Sequence, residues 1–274
     1  MSTAPLIRFY DEPMNNIYVY RKRANMGDNY ASSVLAKELG ITKFLDSDSD
    51  MPPRESIILN WGISKMPQWD VDEWDISWIN DWQNIKNSSN KICMLHKFTK
   101  QHIPTLCWAQ HNNEVFWSGD TVVRHQIYGH SGNGIEIVKE VNPLPEAKLY
   151  TRLEKFEVEQ RYFVVSDKVV DVVQKKRMGK AKREALGINL DPIIKSRKHG
   201  WIFAHNDIVE PIGALNYLAV KAIESIGLDF GVVDIAFNDV DNPKVIEVNS
   251  APGLRSKTTI TKLADALRSY IEDL

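Results

Sequence analysis

The stretch 231-GVVDIAFNDVDNPKVIEVNSAPGL-254 decides how this chain is read, because it forms a hairpin that gathers oxygen ligands onto one face. Strand side chains alternate with period two. Val245, Glu247 and Asn249 are therefore expected on one face of the second strand, with Ile246 and Val248 on the other. In the first strand Asp234 lies between Val233 and Ile235, and the connecting run Asn238 to Pro243 is rich in turn formers that allow antiparallel pairing. Asp234 then faces Glu247. Two carboxylates and an amide oxygen on one patch suit a hard cation such as Mg²⁺, which takes oxygen ligands and completes its shell with water and substrate phosphates. A solvated polar face is the plainer alternative, and the tight E-x-N-x-x-P-G run from Glu247 to Gly253 weighs against it.

Composition narrows the classes further. A chain of 274 residues with 43% hydrophobic and 26% charged content has the makeup of a soluble enzyme with a substantial core. No apolar run approaches the roughly 20 residues of a membrane span, and the opening MSTAPLIRFYDEP has no apolar signal segment. A cytoplasmic location is expected. Cys93 and Cys107 stand in apolar contexts, which argues against a disulfide framework or a cysteine metal site. The net charge of −2 gives no global attraction to nucleic acid or to an anionic membrane. Charge is uneven, however: ten Lys or Arg against three acids lie between Lys168 and His199. That run reads either as a solvated face or as a phosphate-facing surface, and no recognised nucleic-acid module accompanies it.

Working outward, residues 28–40 predict a helix with Asp28 or Asn29 as N-cap and Gly40 as C-cap, and 55–62 a buried strand ending at a glycine turn. Five of the eight tryptophans fall in 61–83, a segment that either packs the core or lines a substrate. A helix runs from Lys91 to about Gln101 and stops before Pro104. Strands are expected at 114–117 and 121–124. The segment 128-YGHSGNGIEIV-138 carries three glycines, whose freedom would let backbone N–H groups approach an anion. It joins strands instead of opening a helix, so neither a P-loop nor a Rossmann fingerprint fits. Residues 160–176 read as a hairpin across Ser166-Asp167, 211–227 as an amphipathic helix begun by Pro211 and capped by Gly227, and 258–274 as a closing helix.

In order and spacing these pieces resemble the ATP-grasp superfamily, particularly its carboxylate-amine ligases. The resemblance runs from Asn90-Lys91 and Ile103-Pro104, through Arg124 and GHSGNGI at Gly129 to Ile135, to Glu159-x-Arg161 and finally Asp234 with Glu247-x-Asn249-x-x-Pro252-Gly253. It implies a mixed α/β and α+β chain: a small N-terminal α/β unit over residues 1–88, an ATP-grasp subdomain with the glycine-rich loop over 89–149, and a C-terminal subdomain with the metal site over 150–274. ATP would lie between the last two. Its adenine would sit against the strand-to-hinge segment Tyr150, Thr151, Arg152 and Leu153, and its ribose near Glu159. Its phosphates would lie near Lys91, Arg124 and the loop Gly129, His130, Ser131, Gly132, Asn133 and Gly134. Arg124 stands where the family usually has a second lysine, and a planar fork there replaces a point donor. The resemblance further implies Mg²⁺, two ions with Mn²⁺ as the alternative, held by Asp234, Glu247 and Asn249. Arg161 would face the transferred phosphoryl group, and Lys176, Lys195 and Arg197 are basic candidates for the same pocket.

The implied reaction is ATP-dependent joining of a carboxylate to an amine through an acyl phosphate, releasing ADP and phosphate. Its substrates would be small molecules or peptides; nucleic-acid and membrane partners are not expected, and a homodimer is compatible with it. A phosphotransferase that stops at phosphorylation and a non-catalytic ATP-binding regulator are the competing readings. Intact Asp234, Glu247 and Asn249 argue against the second. The seven histidines show no metal-ligand spacing.

Overall fold

A computed structural model describes residues 16–22, 30–46, 49–69, 75–128, 134–140, 143–209 and 213–274. Three sheets follow one another along the chain. The first is parallel, with β1 (Ile17–Tyr20), β2 (Phe44–Leu45), β3 (Ile57–Asn60) and β4 (Ser77–Ile79) in the order β2-β1-β3-β4, and helix α1 (Tyr30–Leu39) joins its first two strands. The residues expected to cap the start of α1, Asp28 and Asn29, lie outside the described residues. Three of the tryptophans of this region pack on other rings: Trp61 stacks on Phe230 at 5.6 Å, and Trp69 stacks on Trp78 at 6.0 Å; Trp74 lies outside the described residues.

Helices α2 (Trp82–Ser89) and α3 (Lys91–Lys100) follow, with Asn90 between them. Asn90 ends one helix and starts the next, because its side-chain oxygen accepts from the N–H groups of Ile92 and Cys93 at 3.0 and 3.1 Å. Lys91 thereby becomes the first residue of α3. Cys93 and Cys107 are not bonded to each other.

The second sheet is antiparallel, in the order β5-β8-β6-β7, from β5 (Trp108–Ala109), β6 (Thr121–Arg124), β7 (Ile135–Val138) and β8 (Leu149–Arg152). The strand expected at 114–117 does not form. Asn112–Glu114 make a single 3₁₀ turn instead, and the Glu114 carboxylate folds back to accept from the N–H groups of Gln110 and His111. A local side-chain bond of this kind competes directly with strand pairing.

The third sheet carries the site. Its strands are β9 (Val158–Val165), β10 (Lys168–Arg177), β11 (Trp201–Ala204), β12 (Phe230–Phe237) and β13 (Lys244–Asn249), all antiparallel in the order β11-β10-β9-β12-β13. A short helix α4 (Lys180–Ala185), then α5 (Gly213–Ile226) and the closing α6 (Lys257–Glu272) complete the fold. Ser256 caps α6 and Gly227, at φ +88°, ends α5; Pro211 lies outside the described residues. One face of the sheet is sealed by α5 and α3, where Ala219, Ile223 and Phe98 pack with Tyr162, Val164 and Val233. On the other face α6 and α1 cover one end, with Leu263, Leu267 and Leu35 against Phe163 and Val232. The rest of that face is open. No helix among the described residues is long and apolar enough to cross a membrane.

Two β-bulges set which side chains look into the opening. In β13 the register slips between Asp234 opposite Glu247 and Ile235 opposite Val245, so Ile246 is the extra residue. Strict alternation is broken there: Val245 turns into the core beside Val248, and Ile246 joins Glu247 on the open side. This corrects the simple two-face reading of the strand for Val245 and Ile246. A second slip in β10 falls between Val169 and Asp171. Outside the sheets, the turn after β3 brings Gly62 (φ +80°) so close to the loop after β13 that a Cβ there would lie 2.5 Å from that of Ala251.

Candidate functional site

The open face of the third sheet and the facing side of the second enclose a cavity of about 1420 Å³. Its charge is lopsided. Among the described residues eleven Lys or Arg line it against five Asp or Glu, although the chain as a whole is slightly acidic. One wall is apolar, with Val122, Ile137 and Leu153 from the second-sheet side and Ile246 opposite.

At the centre, Arg161, Asp234 and Glu247 stand in one row across three adjacent strands, since Asp234 pairs with Arg161 on β9 and with Glu247 on β13. Arg161 binds Asp234 bidentately, Nε to Oδ1 at 2.7 Å and Nη2 to Oδ2 at 2.8 Å, while its guanidinium lies 4.1 Å over the Phe203 ring. Lys91 reaches from the start of α3 to Glu247 Oε2 at 3.1 Å, and Asn249 donates to Glu247 Oε1 at 2.9 Å. Burial by itself would raise the Glu247 carboxyl, but Lys91, Asn249 and Arg161 outweigh it and hold that carboxyl well below the usual carboxylate range. Burial likewise lowers Arg124, with Glu247 opposing, so the pocket is built to keep one strong anion among cations. Two carboxylates and an amide on neighbouring positions make an oxygen donor set; among the described residues no cluster of three or more His, Cys, Asp or Glu forms a cage complete in itself.

The other residues singled out in the sequence fall as follows. Thr151, Arg152, Leu153, Glu159, Lys176, Lys195 and Arg197 all line the cavity. Tyr150 does not: its side chain is buried, accepting from Ala147 N–H and donating to the Pro145 carbonyl, both at 2.7 Å. The link between the two sheets is also later than expected. β8 ends at Arg152 and β9 begins at Val158, so the segment crossing the cavity mouth is Leu153 to Glu157. Gly129 to Asn133 lie outside the described residues; Gly134, at φ +70°, closes that segment where His125 N–H donates to its carbonyl at 3.2 Å.

Lys176 is on the cavity rim, where its ammonium donates to the Asp207 carbonyl at 2.7 Å. The cation on the face of Arg161 is its neighbour Lys175, which binds Glu159 and sits 5.0 Å over the Phe203 ring. Burial lowers the Lys175 ammonium, with Asp234 and Glu247 opposing and Lys195 assisting. The β10 bulge explains the exchange. A regular hairpin across Ser166-Asp167 would align Val172 with Arg161 and so turn Lys176 inward; the extra residue aligns Val173 with Arg161 and turns Lys175 inward. His205, also on the cavity wall, was not marked by any motif.

Comparisons with known proteins agree on architecture. The D-alanine--D-alanine ligase of Bacillus anthracis shares 13% identity with this chain and superposes over 94% of it and 95% of the ligase, with a TM-score of 0.62. The ATP-grasp ligase PsnB, complexed with minimal precursor, Mg and ADP, gives 13% identity, 94% and 98% coverage and a TM-score of 0.63. A Chryseobacterium gregarium RiPP-associated ATP-grasp ligase, in complex with ADP and a leader and core peptide, gives 15%, 93% and 96%, and 0.58. No protein-family model matches the sequence, and no curated protein does. At such identities the likeness is one of fold.

Proposed function

We propose that this chain, which has the ATP-grasp fold, is an ATP-dependent ligase that joins a carboxylate to an amine. The observation that carries the proposal is the row Arg161, Asp234, Glu247 inside a cavity lined mostly by cations. Such an arrangement suits a polyphosphate: fixed positive charges neutralise the phosphates, and the paired carboxylates keep the cations from repelling one another. The apolar wall formed by Val122, Ile137, Leu153 and Ile246 fits a purine, and the Leu153 to Glu157 link offers backbone groups at its edge.

Glu247, Asn249 and Asp234 would hold Mg²⁺, which supplies charge neutralisation on the phosphate oxygens when bound. Lys91, Arg124 and Lys175 neutralise the remaining phosphate charge, and Arg161 holds Asp234 in place. In the first step a carboxylate oxygen of the acceptor attacks the γ-phosphorus; the bond to the β-phosphate oxygen breaks and ADP departs. In the second the amine attacks the acyl phosphate, the C–N bond forms and phosphate leaves with the C–O electron pair. Closure over the activated acyl group would have to exclude water. Peptides and small molecules are the acceptor classes consistent with the cavity volume of about 1420 Å³.

Screening amino acids, small carboxylates and peptides for ADP release, with mass spectrometry of the products, tests the reading. ADP accompanied by an amide supports it. A stable phosphorylated product without amide replaces it with phosphotransfer.

A further inference from the structure

At the end of the cavity bordered by Ser256 and Thr259, His205 lies against a carboxylate that no part of the scheme above uses. Asp171 sits at the β10 bulge and is 4% exposed. Its Oδ2 accepts from Thr259 Oγ1 at 2.6 Å and meets His205 Nε2 at 2.8 Å, while its Oδ1 accepts from Lys262 Nζ at 2.8 Å. Among the described residues Asp171 on β10 is the charged group bonded to the imidazole, and Lys262 on α6 holds the other oxygen of that carboxylate. Asp171 is thus balanced by Lys262 whether or not the ring carries a proton. An ionised carboxylate can only accept, so the ring proton belongs on Nε2 and Nδ1 is left as an acceptor. The His205 side chain is about one-third exposed, at 35%, on the cavity wall.

We propose that His205 is the general base of the amine step and that Asp171 is its positioning residue; this rests on the ligase reading above. An amine that attacks the acyl phosphate carries a surplus proton once the C–N bond forms, and that proton must leave the nitrogen. His205 Nδ1 takes it, the imidazolium is stabilised by Asp171, and the proton passes on to the departing phosphate or to water. Most of the other described candidates are committed. Among the described residues lining the cavity His205 is the one imidazole, and the remaining basic nitrogens belong to lysines and arginines. Four of the five carboxylates there are held by cations: Glu154 by Lys244, Glu159 by Lys175, Asp234 by Arg161 and Glu247 by Lys91.

Two measurements test this. The first needs no acceptor: with ¹⁵N-histidine-labelled protein and Mg-ATP at pH 7.5, with His205 assigned through His205→Gln, Nε2 should carry the proton and Nδ1 should be bare. A proton on Nδ1, or a doubly protonated ring persisting to pH 9, removes the base. The second offers the twenty amino acids as a mixture, with and without hydroxylamine, whose nitrogen is neutral at pH 7 and attacks acyl phosphates unaided. His205→Gln should cut amide formation by about 10²-fold, the usual worth of a positioned base, while hydroxamate formation stays near that of the unmodified chain. Equal loss of both products, or no loss of amide, rejects the base and leaves the ligase intact. A parent chain that forms neither product fails the ligase reading itself, and the tautomer measurement then decides the Asp171–His205 arrangement alone.

Discussion

Arg161 and Asp234 face each other across neighbouring strands and close a two-bonded ion pair, 2.7 and 2.8 Å, in the middle of the cavity floor. A buried pair of this kind adds little to stability beyond what an apolar pair would, but removing one partner strands the other charge. Arg161→Ala should therefore lower unfolding free energy by about 3 kcal/mol or more. Urea denaturation checks it, and a change below about 1 kcal/mol would mean that Asp234 finds another cation.

Glu247 is the anion on which Lys91, Asn249 and Arg161 converge. Glu247→Gln keeps the shape and removes the charge, so ATP turnover should fall by on the order of 10²-fold or more, as when a principal electrostatic element is lost. Without nucleotide the variant should still melt cooperatively, at a lower temperature than the parent chain, because Lys91 loses its ionised partner. Near-normal ADP release in this variant would return the hairpin to a structural role.

The same residue makes a pH prediction. Its carboxyl is depressed in the folded chain, so its ionisation stabilises the fold above the unfolded carboxylate value of about 4.3. That contribution is lost as pH falls toward the lower folded value. The stability of the parent chain relative to Glu247→Gln should be level from pH 7 to about 5 and then decline steadily toward pH 3. Paired urea titrations across that range measure it; a flat difference throughout contradicts the assignment.

Lys175 and Lys176 are adjacent in sequence, yet the β10 bulge gives them different surroundings. Replacing Lys175 by Met should weaken Mg-ATP binding about tenfold or more, the worth of one charge-assisted hydrogen bond. Lys176→Met should change it by less than about threefold, because that ammonium is engaged with a backbone carbonyl at the rim. Calorimetric titration of both variants decides, and the reverse ranking would contradict the observed register.

Gly62 and Gly40 share a left-handed backbone, at φ +80° and +77°, but differ in what surrounds them. A Cβ on Gly40 meets open space, whereas one on Gly62 would lie 2.5 Å from Ala251. Gly40→Ala should cost about 1 kcal/mol, the left-handed penalty alone, and Gly62→Ala at least about 2 kcal/mol, with overpacking added. Equal costs in chemical denaturation would mean that the loop after β13 yields.

Much of this was legible in advance because it depended on local rules. Asp234 opposite Glu247 followed from period-two alternation and the Asn238 to Pro243 turn, and the helix beginning at Lys91 was bounded by the Ile103-Pro104 stop. What alternation could not reveal were the places where it breaks. Nothing in Val169 to Asp171 or Val245 to Glu247 announces an extra residue, because a bulge is fixed by packing on both sides of a sheet and not by the strand that carries it. Val245 and Ile246 were misplaced, and Lys175 went unnamed beside Lys176, for that one reason. The Glu114 turn and the Asp171–His205 contact depend on partners distant from any motif, and the link at Leu153 to Glu157 became visible only once β8 had a neighbour.

The bulge in β10 also bears on how such a chain can change. In a surface loop the gain or loss of one residue is absorbed, and so is loss of Val170, which leaves Asp171 opposite Phe163; a deletion between Asp171 and Lys175 would invert the strand from there onward. It would carry Lys175 out of the cavity and bring Lys176 into its place beside Glu159 in a single event. A lineage carrying this sheet can therefore trade lysine positions by altering length as well as by substitution, and alignments that score only identity at these columns would misread the exchange as loss of the site.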